Sequence, residues 1–215
     1  MTILFAPEGQ AAQTFGQVLR LENNLDGPWV IQGGQVGRYK VVLLGTGVGK
    51  VAAAAAVAYA RQRFNPNQAF WLGPAQALDP ELKPLDLLVA QDAVQYDVDF
   101  TALGRAPGEL ATGEQFVAAD AVLSLRILRA AQALDLPVKA GRIATADRLL
   151  ADPGEARRVR ETFSADAADM EGAAALWSAK KTGMPLALVR AVGDEKNLEA
   201  AAQRLAELIA KVLEG

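Results

Sequence analysis

Ala168-Asp169-Met170-Glu171-Gly172-Ala173-Ala174, followed by Leu188-Val189-Arg190-Ala191-Val192-Gly193-Asp194, decides the reading of this chain. The two segments place two carboxylates, Glu171 and Asp194, at opposite ends of a helix-then-strand unit built almost entirely from small and apolar residues. Between them the pattern predicts an Ala-rich helix over 170–181, a stop at Gly183-Met184-Pro185 and a short strand running through Arg190. An acid at the end of a buried strand needs a reason, because an unpaired buried charge costs several kcal/mol or more. A capping role at the next helix is one reason. Chemistry is the other.

The same alternation extends outward. Apolar runs predict strands over 2–6, 69–72, 138–145, 165–169 and 186–192, with a bent strand over 85–97 after Pro84. Segments 29–32 and 38–44 read as a hairpin turning at Gly33-Gly34-Gln35. Helical periodicity covers 10–21, 48–64, 119–134, 153–163 and 198–213, with Pro153 suited to a first turn. Strands alternating with helices imply an α/β fold: a single-domain three-layer sandwich over 1–215, with a mixed, largely parallel central sheet flanked by helices. The alanine tract at 52–56 reads as close helix packing on that sheet, and Arg157, Arg158 and Arg160 as a solvated helix face.

Composition narrows the chemistry. The 215 residues are 51% apolar, enough for a large core. A net charge of −3 argues against a nucleic-acid partner. No window is apolar for the roughly 18 residues a membrane span needs, and the first residues lack the basic start of a signal peptide. A soluble, cytoplasmic protein is expected. There is no cysteine, hence no disulfide or thiolate metal site, and no histidine, hence no Ser-His-Asp triad or His-ligated zinc. Neither metal nor organic cofactor is expected, and acid–base work falls to Asp, Glu, Lys or Tyr.

Three segments carry a family resemblance: the opening pair of stretches, Gly45-Thr46-Gly47-Val48-Gly49-Lys50-Val51-Ala52-Ala53, and Tyr96-Asp97-Val98-Asp99-Phe100-Thr101-Ala102-Leu103-Gly104. In order and spacing the chain resembles the nucleoside phosphorylase and nucleosidase superfamily, most closely its 5'-methylthioadenosine/S-adenosylhomocysteine nucleosidases. The resemblance implies hydrolysis of the N-glycosidic bond of adenine nucleosides, with a purine nucleoside and water as partners and a homodimer as the working form.

Cleaving that bond develops positive charge on the ribose and negative charge on the purine, so the site must protonate one and stabilise the other. By resemblance Asp194 protonates the purine and also binds it, Glu171 accepts from the ribose hydroxyls, and Met170 packs under the sugar. Leu149 and Leu150 match the base-pocket pair, with Leu149 where relatives place an aromatic ring. Glu171 as a first-turn acid favourable to the helix dipole is the purely structural alternative.

Departures from the pattern matter as much. The family's water-activating glutamate falls on Gln10 in direct register, and a Gln cannot take a proton. Glu8, two residues earlier, is therefore the expected base. Gly73-Pro74-Ala75-Gln76-Ala77-Leu78 stands for a Gly-rich turn, with Pro74 and Gln76 reading as disruptions. Residues 6–13 and 73–78 contain no Arg or Lys to hold phosphate, so hydrolysis is expected over phosphorolysis. Futalosine hydrolysis on the same fold, and a nucleoside-binding relative without turnover, remain the alternatives.

Overall fold

Ile3 and Phe5 point into one apolar cluster while Leu4 and Ala6 point into another, so the first strand is covered on both faces. In the computed structural model, which describes residues 1–193 and 195–214, that alternation organises the molecule. The strands are β1 (Thr2–Pro7), β2 (Asn23–Leu25), β3 (Val30–Val36), β4 (Tyr39–Thr46), β5 (Gln68–Ala77), β6 (Leu87–Gln95), β7 (Phe116–Ala118), β8 (Val138–Thr145), β9 (Ala167–Asp169) and β10 (Leu186–Val192). The helices are α1 (Gln10–Val18), α2 (Lys50–Phe64), α3 (Ala121–Ala133), α4 (Pro153–Phe163), α5 (Gly172–Thr182) and α6 (Leu198–Glu214).

One cluster joins the sheet to Ala53 and Val57 of α2 and to Ala173 and Leu176 of α5. The other joins it to Phe15 of α1, Ile127 of α3 and Leu205 and Ile209 of α6. This is the expected three-layer α/β arrangement. The mixed sheet pairs β1 with β4 and β5, and β5 with β10, all parallel. Antiparallel pairs include β3–β4 and β6–β10. Because β5 also pairs β9, and β9–β8–β6 leads back to β10, part of the sheet closes into a ring.

Local chemistry sets most boundaries. Asp152 accepts from Glu155 N ahead of Pro153, fixing the start of α4, and Asp120 accepts from Leu123 N to start α3. The bend in β6 is a register shift between Ala90 and Asp92. Three readings need correction. The hairpin turns at Gly37 (φ +54°), with Val36 opposite Tyr39, while Gly33 and Gly34 lie inside β3. Residues 73–77 are not a disrupted turn but the second half of β5, held by β10 and β9. Arg160 is not simply solvated, since it reaches the buried Asp79 at 3.1 Å.

The alanine tract packs as expected on one side only. Ala53, Ala56, Val57 and Ala60 are buried, whereas Val51, Ala55 and Ala58 form an exposed stripe at helical spacing. Among the described residues, no helix is long and apolar enough to cross a membrane.

The parallel strands β1, β4, β5 and β10 all end at the same edge, and β1 lies between β4 and β5. In open α/β sheets ligands bind outside such strand ends, where the chain order switches direction.

Candidate active site

A cavity of about 920 Å³ opens at that edge, lined by Glu8, Thr46, Gly73, Glu171 and Arg190 among others. Its floor is an ion cluster. Arg190, third from the end of an otherwise apolar strand, is only 1% exposed. Its Nε donates to Asp169 Oδ2 at 2.9 Å, and its Nη2 donates to the same oxygen and to Glu171 Oε2 at 3.2 Å. Asp169 also accepts from the Thr145 hydroxyl at 2.5 Å and from Gly172 N at 3.0 Å. Thr145 in turn accepts from Ala173 N at 2.9 Å. The strand ends of β8, β9 and β10 and the start of α5 are thereby locked together, with both Asp169 oxygens hydrogen-bonded.

Gly73 explains how the guanidinium fits. It lies opposite Arg190 in the β5–β10 register, and a Cβ there would collide with Arg190 Nη1. One guanidinium faces two carboxylates, so the cluster carries net negative charge beside the cavity. Such a charge, fixed in place before any ligand binds, favours positive charge developing nearby.

Glu171 connects this cluster to the Gly45–Ala53 segment: its Oε1 accepts from Gly49 N at 3.2 Å. Gly49 sits at φ +97°, a conformation open to glycine, at the head of α2. Burial pushes the Glu171 carboxyl above its ordinary value of 4.5; Arg190 opposes this, the charge of Asp169 reinforces it, and the Gly49 amide opposes it.

The other expected residues distribute unevenly. Glu8 and Gln10 are both exposed and both line the cavity, so the fold brings each of them to it. Met170 lines it half-buried. Leu150 is buried, but Leu149 is 82% exposed on the rim, so the pair does not form one apolar wall. Asp194 lies outside the described residues; its neighbour Gly193 lines the cavity and donates to Ala75 O at 3.0 Å.

Sequence reading missed Arg190 and Asp169 as site residues, although a lone Arg among Leu188, Val189 and Ala191 is a signal, because such a charge is rarely buried unpaired. It also took Gln76 for damage. Gln76 Nε2 donates to Leu150 O at 3.0 Å and so ties the segment after β8 to β5. Cations do reach the cavity from outside 6–13 and 73–78, namely Arg148, Arg190 and Lys196. Arg148 is already paired with Glu155, and Arg190 with its two carboxylates.

Comparison with known proteins fits this geometry. The profile of the phosphorylase superfamily matches residues 10–215. The chain belongs to the phosphorylase superfamily. Within it, the chain is 34% identical over 192 residues to a 5'-methylthioadenosine/S-adenosylhomocysteine nucleosidase of Geobacillus thermodenitrificans, covering 84% of this chain and 81% of that one. It is 33% identical over 157 residues to an aminodeoxyfutalosine nucleosidase of Campylobacter jejuni, covering 73% and 69% respectively. The crystal structure of a C. jejuni 5'-methylthioadenosine/S-adenosylhomocysteine nucleosidase superposes with a TM-score of 0.94 at 25% identity, over 99% of this chain and 98% of that one.

Against the superfamily pattern, the altered 73–78 segment leaves the frame of the site intact. Pro74 lies past the last β1 pair, Phe5 with Trp71, where the β1 side of β5 opens on the cavity. No β1 ladder bond is lost there.

Proposed function

We propose that this superfamily member hydrolyses the N-glycosidic bond of adenine nucleosides, 5'-methylthioadenosine and S-adenosylhomocysteine being the substrates for which its relatives are named. The observation that carries the reading is the buried Asp169–Arg190–Glu171 cluster, net negative, on the floor of a nucleoside-sized cavity. In the reaction the C1'–N9 bond breaks with its electron pair going to the purine, and the Asp194 carboxyl gives a proton to the purine N7. Glu171 accepts from the ribose hydroxyls, and with Asp169 it stabilises the cationic sugar over Met170. Leu149 and Leu150 bound the base. Water adds to C1', and its proton passes to Glu8.

One arm of the cavity runs between α1 and α6, along Ala11, Phe15, Leu198, Ala201, Ala202 and Leu205. This apolar channel suits the methylthio group of 5'-methylthioadenosine better than the charged amino-acid end of S-adenosylhomocysteine. The second reading is a futalosine-type nucleoside, for which one relative is named; its carboxylate-bearing 5' group fits this channel less well.

Purified protein incubated with 5'-methylthioadenosine is expected to release free adenine. Binding without release supports the non-catalytic relative instead. Glu8→Gln is expected to lower turnover by about 10²-fold, the low end of what losing a general base costs, because Gln10 still orients the water. Gln10→Ala should cost less. Full activity in Glu8→Gln moves the base elsewhere.

We further read the chain as one cytoplasmic domain working as a homodimer. Val48, Val51, Leu103 and Leu149 are 69–82% exposed, and Val48 and Leu149 edge the cavity. Together with the exposed stripe on α2, they supply apolar surface for a second copy. Light scattering is expected to give twice the chain mass of 22.7 kDa. A mass equal to one chain at micromolar concentration refutes the dimer.

A further inference from the structure

Three loops at the cavity rim are fastened to one another by charged groups outside the ion cluster. Lys50 Nζ donates to Asp97 Oδ1 at 2.8 Å. Asp97 Oδ2 accepts from Asp147 N at 3.1 Å. Asp147 Oδ1 accepts from Lys50 N at 2.7 Å. The circuit closes on itself and joins the first residue of α2, the segment after β6 and the segment after β8. Lys50 and Asp97 are about one-fifth exposed, so their pairing is partly shielded from solvent.

The circuit also touches the residue next to Lys50. A Cβ on Gly49 would lie 2.9 Å from Asp147 Oδ1, so the carboxylate occupies the space that a side chain at 49 would take. By accepting from Lys50 N, Asp147 anchors the peptide next to Gly49, whose amide donates to Glu171 Oε1. Arg190 holds the other oxygen from below. Glu171 is thus pinned at both oxygens, once by the core and once by the rim.

We propose that Asp147, with Lys50 and Asp97, is a positioning device that holds Glu171 in register with the sugar hydroxyls through the Gly49 amide, an inference that rests on the ribose-binding reading of Glu171. Asp147 touches no reacting atom. Its effect is confined to the hydroxyls that Glu171 reads, which separates it from a residue that merely keeps the fold together. It also links the 97–104 loop to the ribose acid, since Asp97 is the first residue of that loop to meet Lys50.

The test compares 5'-methylthioadenosine with its 2',3'-dideoxy analogue, by calorimetric affinity and by adenine release. Asp147→Ala is expected to lower affinity and kcat/KM for the ribonucleoside about tenfold, the scale of one weakened charge-assisted hydrogen bond. The 2',3'-dideoxy analogue should change less than about twofold, so discrimination between the two collapses. Asp147→Asn keeps an oxygen to accept from Lys50 N and should restore most of the discrimination. Lys50→Met, which keeps the backbone amide and loses only the link to Asp97, should fall between the two and stands in if Asp147→Ala does not fold.

Equal losses on both nucleosides, or unchanged discrimination in Asp147→Ala and Lys50→Met, overturn the proposal. A wild type that binds both nucleosides without releasing adenine counts against hydrolysis alone, and the affinity ratio still decides the clasp. A wild type that binds the two equally overturns the clasp together with the ribose role of Glu171.

Discussion

Asp194→Asn is expected to lower kcat by about 10²–10⁴-fold, the range for losing a general acid, while nucleoside affinity largely survives. The purine leaves with a negative charge that must be met by a proton, and an amide can hydrogen-bond the ring nitrogen but transfers nothing to it. β10 carries the chain straight from the buried Arg190 to Gly193, whose amide is fixed to Ala75 O at 3.0 Å, so the acid follows a well-anchored strand end. The variant is to be assayed beside wild type by adenine release under single-turnover conditions, with affinity from calorimetry. An Asn variant with unchanged turnover removes Asp194 from the chemistry. One with lost affinity as well makes it a binding group first.

What the sequence revealed depended on whether the determining interactions were local. Leu186–Val192 and Pro153–Phe163 could be bounded to the residue, because Gly183 and Pro185 end the preceding helix just before the first and Pro153 opens the second. The extension of β5 through Gly73 and Pro74 could not. Those residue types signal a turn, and what keeps them in a strand is pairing with β10 and β9, 90 or more residues away. Gly33 and Gly34 misled for the same reason, since the turn residue is Gly37.

The site divides along the same line. Glu171, Met170, Leu149, Leu150 and Glu8 were nominated by motif, and all of them line the cavity. That they converge was legible; how Glu171 is held was not. Its partners Gly49 and Arg190 come from different strand ends, and Arg190 shares itself with Asp169, a residue that passes for a structural acid beside Met170. The one legible hint was the cost of an Arg inside a buried strand, which obliges at least one carboxylate to be near.

That obligation makes Arg190→Leu the most destabilising single change expected in the molecule. Removing one partner of a buried ion pair leaves a charge uncompensated and costs about 3–5 kcal/mol. Here the side chains of Arg190 and Asp169 are both 1% exposed, so solvent cannot take over the lost contact. Leu also fails to satisfy the Asp169 oxygens or to fill the guanidinium's place beside Gly73. The loss should depend on pH. Glu171 already holds its proton more tightly in the folded chain than its ordinary 4.5, chiefly through burial, and Arg190 is the main group opposing that shift. Without the guanidinium the folded value rises further. A carboxyl with a raised folded pKa contributes stability that is present below its unfolded value and lost as pH climbs through the folded one. The deficit of Arg190→Leu relative to wild type is therefore expected to be smaller at about pH 5 than at about pH 8, as read by urea denaturation. Pairing Arg190→Leu with Asp169→Asn removes one uncompensated charge and should recover part of the stability without recovering activity. An Arg190→Leu protein as stable as wild type at both pH values would mean that the cluster is held by its neutral hydrogen bonds, with the ion pair contributing nothing net.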